Sequence, residues 1–499
     1  MAKFSVLLPV GAAANLEADA RLKSLKAQTL TDWQAFILPP AGTPPPASGD
    51  PQVTAGPAGL DTFAKLINWA VENGGGEILL PLPEGVSLQP HALAALADLF
   101  NTHKNAAGAF SSYNERTASG TKLIQLYPHE GAFHERFDFG FVKAYRASAI
   151  RELKGVREDL VHTGEYDLDL RLTDKSTIEF VDEPLYEVVP AEQGSGEAKG
   201  ALHSPGKGKL GGFSYIFYPP DLEKEITTVF EEMLHRRGAY IDRATVEVAY
   251  PNENYPVLAT VVIPVLNRVK FIGNAIERVL EGTFKDFEVV IVDNGSTDGT
   301  QDVIREFEKK DSRVRLIQRG GGSIASALNE GIRAARGKYI CQLDSDDEYT
   351  PDTLEQMVGH MESHPKCGLA ISYYELMDED RGQVVGIDPV THSGYTRNQI
   401  LRRDGGGALR VFPKAVLEEM GYYDEEHFGN FGEDYDMVLK VGEKYDVDRV
   451  HKVLYRYRRH SDNTDVTRDP LMKIQNKNNA RMNALKRRQK INQLADTKG

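Results

Sequence analysis

Three carboxylates fall within four residues of this 499-residue chain, directly after a short apolar run that predicts a buried strand. They are Asp344, Asp346 and Asp347, and the run before them covers residues 339–343. Open α/β sheets bind their ligands at the carboxyl ends of the strands, so this position suits a site. Acidic groups this close repel one another unless a cation lies between them. Oxygen ligands of this kind suit Mg²⁺ or Mn²⁺ rather than Zn²⁺.

The neighbouring sequence predicts the elements that position this acidic cluster. A helix is expected directly after it, because Thr350 suits an N-cap and Pro351 suits the first helical position. Two apolar strands are expected before it, at residues 260–265 and 286–292, with helical apolar spacing between them. Strands that alternate with helices at this rhythm indicate a parallel, doubly wound α/β sheet.

Other polar groups follow apolar runs in the same region. Asp293 and Asn294 end the second of those strands, where they could bond a base or ribose or else form a turn and helix cap. Glu433 and Asp434 begin an amphipathic stretch and could supply a general base or be an ordinary acidic helix start. His460 ends a basic run that is either a solvated face or a diphosphate contact.

The first part of the chain repeats the order of elements found in this region. Residues 78–90 correspond to 340–351, and residues 164–172 correspond to 433–441. We interpret the correspondence as an internal duplication of one α/β domain. The domains we expect are a first copy at 1–190, a Gly-rich linker and helical connector at 191–255, a second copy at 256–468 and a basic helical tail at 469–499.

The net charge, the cysteine content and the lengths of the apolar runs argue against several classes of protein. A formal charge of −14 argues against a nucleic-acid-binding protein, because phosphate binding needs a basic surface. Two cysteines give no disulfide framework and suit a reducing compartment. No apolar run approaches the ~20 residues that span a bilayer, so a cytoplasmic location is the expectation.

The C-terminal segment is basic, whereas the chain as a whole has a negative net charge. From Leu471 onwards eight basic residues face Asp496 alone, which leaves a charge of +7. This tail is either a solvated helix or frayed terminus, or a peripheral contact with anionic lipid headgroups at the inner face of a membrane. Homo-oligomerisation is a further open expectation.

Taken together, five segments resemble the motifs of the family 2 glycosyltransferases of GT-A fold, and the resemblance covers about residues 256–468. The segments are 260–267, 292–299, 343–347, 432–434 and 457–460. The resemblance implies an α/β fold with two tandem GT-A-like domains, each a Rossmann-like, doubly wound mixed sheet, plus a helical C-terminal tail. It implies inverting transfer from a nucleotide-diphosphate sugar, with a UDP-sugar favoured, to a hydroxyl of a glycan or lipid-linked acceptor, assisted by Mn²⁺ or Mg²⁺.

The same resemblance implies roles for individual residues. Asp434, beside Glu433, is the expected catalytic base, and Asp344, Asp346 and His460 are the expected metal ligands. The residues implied in nucleotide-sugar binding are Pro264, Asn267, Asp293, Asn294, Asp344, Ser345, Gly406 and Gly407. Asn294 departs from the second aspartate of many relatives, which leaves recognition of the base open.

The first copy lacks most of this set. Pro83 and Gly85 stand where the second copy has Asp344 and Asp346, and Glu165 is the carboxylate that remains. We therefore expect a degenerate, non-catalytic domain that binds no nucleotide and serves as support, dimerisation surface or acceptor-binding surface. The alternative for the whole chain is a non-catalytic tandem scaffold or glycan-binding module.

Overall fold

The computed structural model describes all residues except 1–2, 13–14, 46–47, 190–217, 252–253, 380–388, 392–394, 404–405, 464–466 and 497–499. The chain divides into two compact units. The first comprises residues 1–201 and 218–237, and the second comprises residues 202–217 and 238–499. The Gly-rich part of the predicted linker falls outside the described residues.

The first unit is built on one mixed sheet. Its described strands are β1 (Phe4–Pro9), β2 (Trp33–Leu38), β3 (Val53–Ala55), β4 (Ile78–Pro81), β5 (Val86–Leu88), β6 (Ala106–Thr117), β7 (Gly120–Ile124), β8 (Lys143–Arg146) and β9 (Thr177–Val188). Their order is β3-β2-β1-β4-β8-β6-β9-β5, and β7 forms a hairpin with β6. Strands β1 to β4 pair in parallel, whereas β8 runs antiparallel to β4 and β6.

Helices cover both faces of this sheet, because apolar residues of β1 alternate between two core clusters. They are α1 (Ala20–Lys26), α2 (Phe63–Asn73), α3 (Ala92–Thr102), α4 (Ala147–Glu152), α5 (Gly164–Leu172) and α6 (Pro220–Arg236). The expected helical connector forms as α6, but it packs within the first unit. The carboxylate of Glu225 accepts hydrogen bonds from the N–H and the hydroxyl of Thr163, both at 2.7 Å, and Phe230 is fully buried.

The second unit is built on a sheet of the same kind. Its described strands are β10 (Val257–Val265), β11 (Phe287–Asp293), β12 (Val314–Gln318), β13 (Gly337–Gln342), β14 (Glu348–Tyr349), β15 (Cys367–Met377), β16 (Arg410–Pro413) and β17 (Asp446–Arg458). Its helices are α7 (Ile272–Glu281), α8 (Thr300–Lys310), α9 (Ile324–Ala334), α10 (Thr353–Ser363), α11 (Lys414–Glu419), α12 (Glu433–Gly442) and α13 (Pro470–Asp496), with a 3₁₀ turn at Gln399–Leu401.

The two sheets have the same strand order. The second runs β12-β11-β10-β13-β16-β15-β17-β14, which matches the first strand for strand once the β7 hairpin is set aside. Details of register also correspond. Leu88 of β5 pairs with Tyr186, and Tyr349 of β14 pairs with Tyr455. The predicted fold class, two tandem GT-A-like α/β domains with a C-terminal helix, is confirmed.

The start of the helix after the acidic cluster was predicted wrongly. Helix α10 begins at Thr353, with Asp352 in the N-cap position, rather than at Pro351. Before it, Tyr349 pairs with β17 in strand β14, and the N–H of Thr350 donates to the carbonyl of Leu454 at 3.4 Å. Pairing with β17 keeps these residues extended. Helix-capping preferences depend on the local sequence alone and therefore cannot predict this pairing.

The basic tail forms helix α13, and one face of that helix is buried in the second unit. Ala480, Arg481, Ala484 and Arg488 are each at most 2% exposed. The guanidinium of Arg481 donates to the carbonyl of Leu401 at 3.0 Å. The tail is therefore a packed element rather than a solvated or frayed one. Within the described ranges, no helix combines the length and apolarity needed to cross a bilayer.

Candidate functional site

The predicted site residues cluster at the carboxyl edge of the second sheet. Three parallel strands, β10, β11 and β13, end side by side at this edge, and Val265 pairs in register with Asp293. The segment after β13 carries the acidic cluster, and β17 returns to the same edge to deliver His460. Because parallel strands end together, residues that are far apart along the chain meet here.

The central contact joins an acid of the cluster to the predicted histidine. The Oδ2 atom of Asp346 lies 2.9 Å from Nε2 of His460 and 3.4 Å from Nε of Arg268. The imidazole stacks on the ring of Phe271, with centroids 5.1 Å apart, and the backbone N–H of His460 donates to Asn463 at 2.7 Å. These contacts fix the ring so that it faces the carboxylate.

The third carboxylate of the cluster has a structural role. Asp347 is 1% exposed, and its two oxygens accept from the hydroxyl of Tyr455 and the N–H of Arg458, both at 2.7 Å. Arg458 is itself buried and donates to Glu348 at 2.8 Å and to the carbonyl of Asp346 at 2.7 Å. The basic run before His460 therefore holds the cluster in place through Arg458, which is neither solvated nor turned to a ligand.

The pKa values of the remaining two acids of the cluster are shifted in opposite directions. Asp344 reaches solvent yet is surrounded by protein atoms, and this desolvation together with the charge of Asp346 raises the pKa of Asp344 to about 6. Desolvation acts on Asp346 in the same direction. However, the hydrogen bond with His460 and the charge of Arg268 lower the pKa of Asp346 below its usual value. A cation at this point would relieve the repulsion between the two carboxylates.

A second acidic pair stands at the first turn of α12. Asp434 is 38% exposed and forms an ion pair with the guanidinium of Arg410 on β16, whereas Glu433 is buried. Burial and the adjacent charge of Asp434 raise the pKa of Glu433 to about 8. The charges of both Asp434 and Arg410 also act on Asp344, so the two acidic groups share one site. Gly432 begins the helix with φ +92°, a conformation that favours glycine.

The loops after β10 and β11 are bonded to each other. Asn267 accepts from the N–H of Thr297 at 2.9 Å and donates its own N–H to Ser296 at 2.8 Å. Asp293 is fully buried and accepts from the side chain of Gln301 at 2.6 Å. Asn294 donates to the carbonyl of Gly322 at 2.6 Å, while its side-chain oxygen is buried and has no hydrogen-bond partner among the residues that the structure describes. Of these residues, Asn294 has an acceptor available to a ligand.

The other predicted binding residues line the same edge. Pro264 is half-buried near the end of β10, and Ser345 is buried between the two metal-ligand candidates. A side chain at Gly406 would approach Val438 to 3.0 Å and the guanidinium of Arg410 to 3.6 Å. Gly407 has φ +63° and packs against Ile371. Small residues at 406 and 407 are therefore needed for packing next to Arg410.

Sequence reasoning missed three residues that contact the predicted site. Arg410 pairs with Asp434, Arg268 approaches Asp346, and the hydroxyl of Tyr455 bridges Asp347 and the N–H of Asp344. Arg410 had one usable signal. It lies at the start of the short apolar run 410–413, the strand after the glycines at 405–407.

Several known glycosyltransferases are similar to this chain in sequence. The family model described as glycosyl transferase family 2 matches residues 260–420. A glycosyltransferase of Streptococcus pneumoniae, GlyG, is 30% identical over 217 residues, which cover 41% of this chain and 71% of that protein. The chondroitin synthase of Escherichia coli is 28% identical over 268 residues, covering 53% of this chain and 38% of that protein.

One further relative shows how the length of the chain compares with that of known synthases. The hyaluronan synthase of Pasteurella multocida is 27% identical over 273 residues, covering 53% of this chain and 27% of that protein. The chain thus spans well under half the length of the two synthases. Among solved structures, residues 1–349 of Staphylococcus aureus TarS in complex with UDP-GlcNAc align at 19% identity with a TM-score of 0.36, covering 42% of this chain and 61% of that one.

Proposed function

Because the chain belongs to glycosyl transferase family 2, we propose that its second unit transfers a sugar from a nucleotide-diphosphate sugar to a hydroxyl group of a glycan or lipid-linked acceptor. One observation carries the proposal. Asp346 contacts His460, and the charges of Asp346 and Asp434 both act on Asp344, although the four residues lie on three separate segments of the chain. A metal-diphosphate site and a base are the two groups that this transfer requires.

The nucleoside binds at the ends of β10 and β11. The unpaired side-chain oxygen of Asn294 accepts an N–H or O–H from the base or ribose, which removes the cost of a buried acceptor without a partner. An imide N–H, as in uracil, meets that need, so a UDP-sugar is the favoured donor. Asp293 acts indirectly, because its bonds to Gln301 and to the N–H of Ser296 shape the loop that follows β11.

The donor diphosphate lies against Asp344, Asp346 and His460. Two carboxylates and an imidazole fit Mn²⁺ or Mg²⁺. Burial and the charge of Asp346 raise the pKa of Asp344, and a bound cation would favour its ionised form. When bound, such an ion supplies neutralising charge to the leaving nucleotide diphosphate. Arg268, 3.4 Å from Asp346, adds a second positive group toward the phosphates.

Asp434 is the general base. It is partly exposed, whereas Glu433 is buried, so Asp434 is the member of the pair that can reach an acceptor hydroxyl. The carboxylate takes the hydroxyl proton while the oxygen forms a bond to the anomeric carbon. The bond from that carbon to the phosphate oxygen breaks, and the nucleotide diphosphate leaves with the electron pair. One displacement without a protein nucleophile inverts the anomeric centre.

Glu433 acts through its neighbour. With its pKa raised to about 8, the side chain keeps its proton at neutral pH and adds no second negative charge beside Asp434. Arg410 places a positive charge against Asp434. We assign both as positioning residues.

The test measures metal-dependent donor binding by the full chain. UDP and UDP-sugars are titrated with and without Mn²⁺, and the expected stoichiometry is one nucleotide per chain. Asp346→Ala should abolish the effect of Mn²⁺ on donor affinity, because it removes the carboxylate that faces His460. Glu84→Ala is the matched control, since it removes a carboxylate at the corresponding strand end of the first unit.

Two outcomes would count against the proposal. Unchanged Mn²⁺ dependence in Asp346→Ala would remove this residue from the metal site. Two nucleotides per chain would show that the first unit also binds donor, against the absence of paired acids at Pro83 and Gly85.

A further inference from the structure

A second cluster of metal-ligating side chains lies away from the donor site, on the same unit. His360 and His364 are one turn apart at the C-terminal end of α10, and Asp448 faces them from β17. One ligand atom from each of the three lies within 4.8 Å of the others. We propose that these residues form a binding site for Zn²⁺ or a similar transition-metal ion.

The closest pair already has nearly the spacing of metal ligands. Nε2 of His360 lies 3.0 Å from Oδ2 of Asp448. Ligands at the usual Zn–N and Zn–O lengths of a tetrahedral site are roughly 3.3 Å apart. An ion can therefore replace the hydrogen bond between these two groups with little movement of the backbone.

The second histidine has the tautomer that a metal ligand needs. Nδ1 of His364 lies 2.8 Å from the carbonyl oxygen of His360, which can only accept, so Nδ1 carries the hydrogen. Nε2 of the neutral ring then has a free lone pair, the arrangement seen when a carbonyl orients a ligating histidine. The two rings stack with centroids 3.9 Å apart. Because His364 is exposed, its ring can turn out of the stack toward a shared ion.

The surroundings favour a cation at this place. The C-terminus of a helix carries partial negative charge, and both histidines lie in the final turn and cap of α10. The contact with Nε2 of His360 orients the carboxylate of Asp448 before any ion arrives. Burial raises the pKa of the Cys367 thiol, which donates to the sulfur of Met361 at 3.5 Å and is not a candidate ligand. Exposure on the His364 side leaves a coordination position for water.

A metal ion at this site would stabilise the elements next to the donor-binding edge of the second sheet. Helix α10 follows the segment that carries Asp344 and Asp346, and β17 ends two residues before His460. An ion held by His360 and Asp448 ties these two elements together at a point remote from the chemistry. Loss of the ion is expected to lower stability rather than to remove a catalytic group.

The experiment uses the full chain, stripped of metal with a chelator and then titrated with ZnCl₂. The titration is run on Asp346→Ala, which silences the proposed donor site, and on the wild type in excess Mg²⁺. We expect one Zn²⁺ per chain in both. His360→Gln and His364→Gln should each weaken binding by at least about 100-fold. His451→Gln is the matched control, because it changes an exposed histidine three residues beyond Asp448 on the same strand.

Thermal unfolding gives an independent measurement. Zn²⁺ at about 100 times its dissociation constant should raise the Tm by roughly 5–10 °C, and the double variant His360→Gln/His364→Gln should lose this shift. Tm values without metal report whether each variant folds. Zn²⁺ binding that survives in the double variant would overturn the proposal. So would an absence of Zn²⁺ binding in the wild type, which would leave a hydrogen-bonded His360–Asp448 pair only.

Discussion

The two units carry the same ion pair at the same place in the sheet. Tyr145 of β8 pairs with Leu79 of β4, as Phe412 of β16 pairs with Ile340 of β13, so Lys143 and Arg410 occupy equivalent positions. Lys143 lies 3.0 Å from Glu165 at the start of α5, and Arg410 pairs with Asp434 at the start of α12. A basic residue on this strand and an acid on the following helix belong to the shared fold.

The strand ends next to this pair differ. In the first unit Lys143 is buried, lies 2.5 Å from Asp169 and packs over the ring of Phe139. In the first unit the charge of Lys143 therefore compensates the carboxylates of Glu165 and Asp169. Pro83 and Gly85 have no side-chain atom that could bind a metal ion. In the second unit the position of Asp169 is taken by Val438, and two aspartates that reach solvent stand where the first has proline and glycine. The two units therefore share a sheet architecture and differ in the acidic residues at the ends of their strands.

The strongest test of this comparison is a pair of equivalent substitutions. Asp434→Asn should lower kcat by roughly 10²–10⁴-fold while donor affinity is unchanged. The substitution removes the carboxylate base and keeps a side chain of nearly the same size and shape. Glu165→Gln changes the equivalent carboxylate of the first unit and should leave kcat unchanged. Steady-state transfer rates and donor titrations measure both. Turnover by Asp434→Asn at the wild-type rate would remove this residue from the mechanism.

The second test concerns stability and pH. In the folded chain the pKa of Glu433 is about 8, above the unfolded value near 4.5, so the folded state keeps a proton that the unfolded chain releases. This contribution is present below pH 4.5 and is lost as the pH rises through about 8. Glu433→Gln cannot titrate and should flatten the profile, with a gain on the order of a few kcal/mol at about pH 9.

Chemical denaturation from about pH 5 to about pH 9 gives the stability profile of each protein. Glu426→Gln is the matched control, because it changes an exposed carboxyl group in the segment before α12. The profile of this control should follow that of the wild type. If the free energy of unfolding changed with pH in the same way for the wild type and Glu433→Gln, burial of Glu433 would not contribute to the pH dependence of stability.

The smallest expected effect comes from making the second unit resemble the first. Arg410→Lys keeps the positive charge but loses the planar guanidinium that reaches Asp434, so kcat should fall about tenfold. Lys143→Arg makes the reciprocal change in the first unit and should leave transfer unchanged. An equal loss of activity in both variants would mean that the first unit contributes to catalysis.

The sequence determined the class of fold because its signals are local. Apolar runs alternate with helical spacing within each copy, and these patterns predicted parallel strands, the two-domain organisation and a helix that begins near Glu433. The order of motifs also predicted that Asp346 and His460 would come together, although 114 residues separate them. The fold class follows from local patterns that recur in both copies, whereas the meeting of Asp346 and His460 was implied by the resemblance to a known family.

Tertiary structure alone decided which charged residues are available to a ligand. Asp347 and Arg458 look like functional groups in sequence, yet both are buried and the carboxylate of Asp347 accepts from the backbone N–H of Arg458. Arg410 looks like an ordinary strand residue, yet it faces Asp434. The same holds for β14, whose extended form depends on pairing with Tyr455. Charge and local propensity are properties of a residue, whereas a hydrogen-bond partner is fixed only when distant strands are brought side by side.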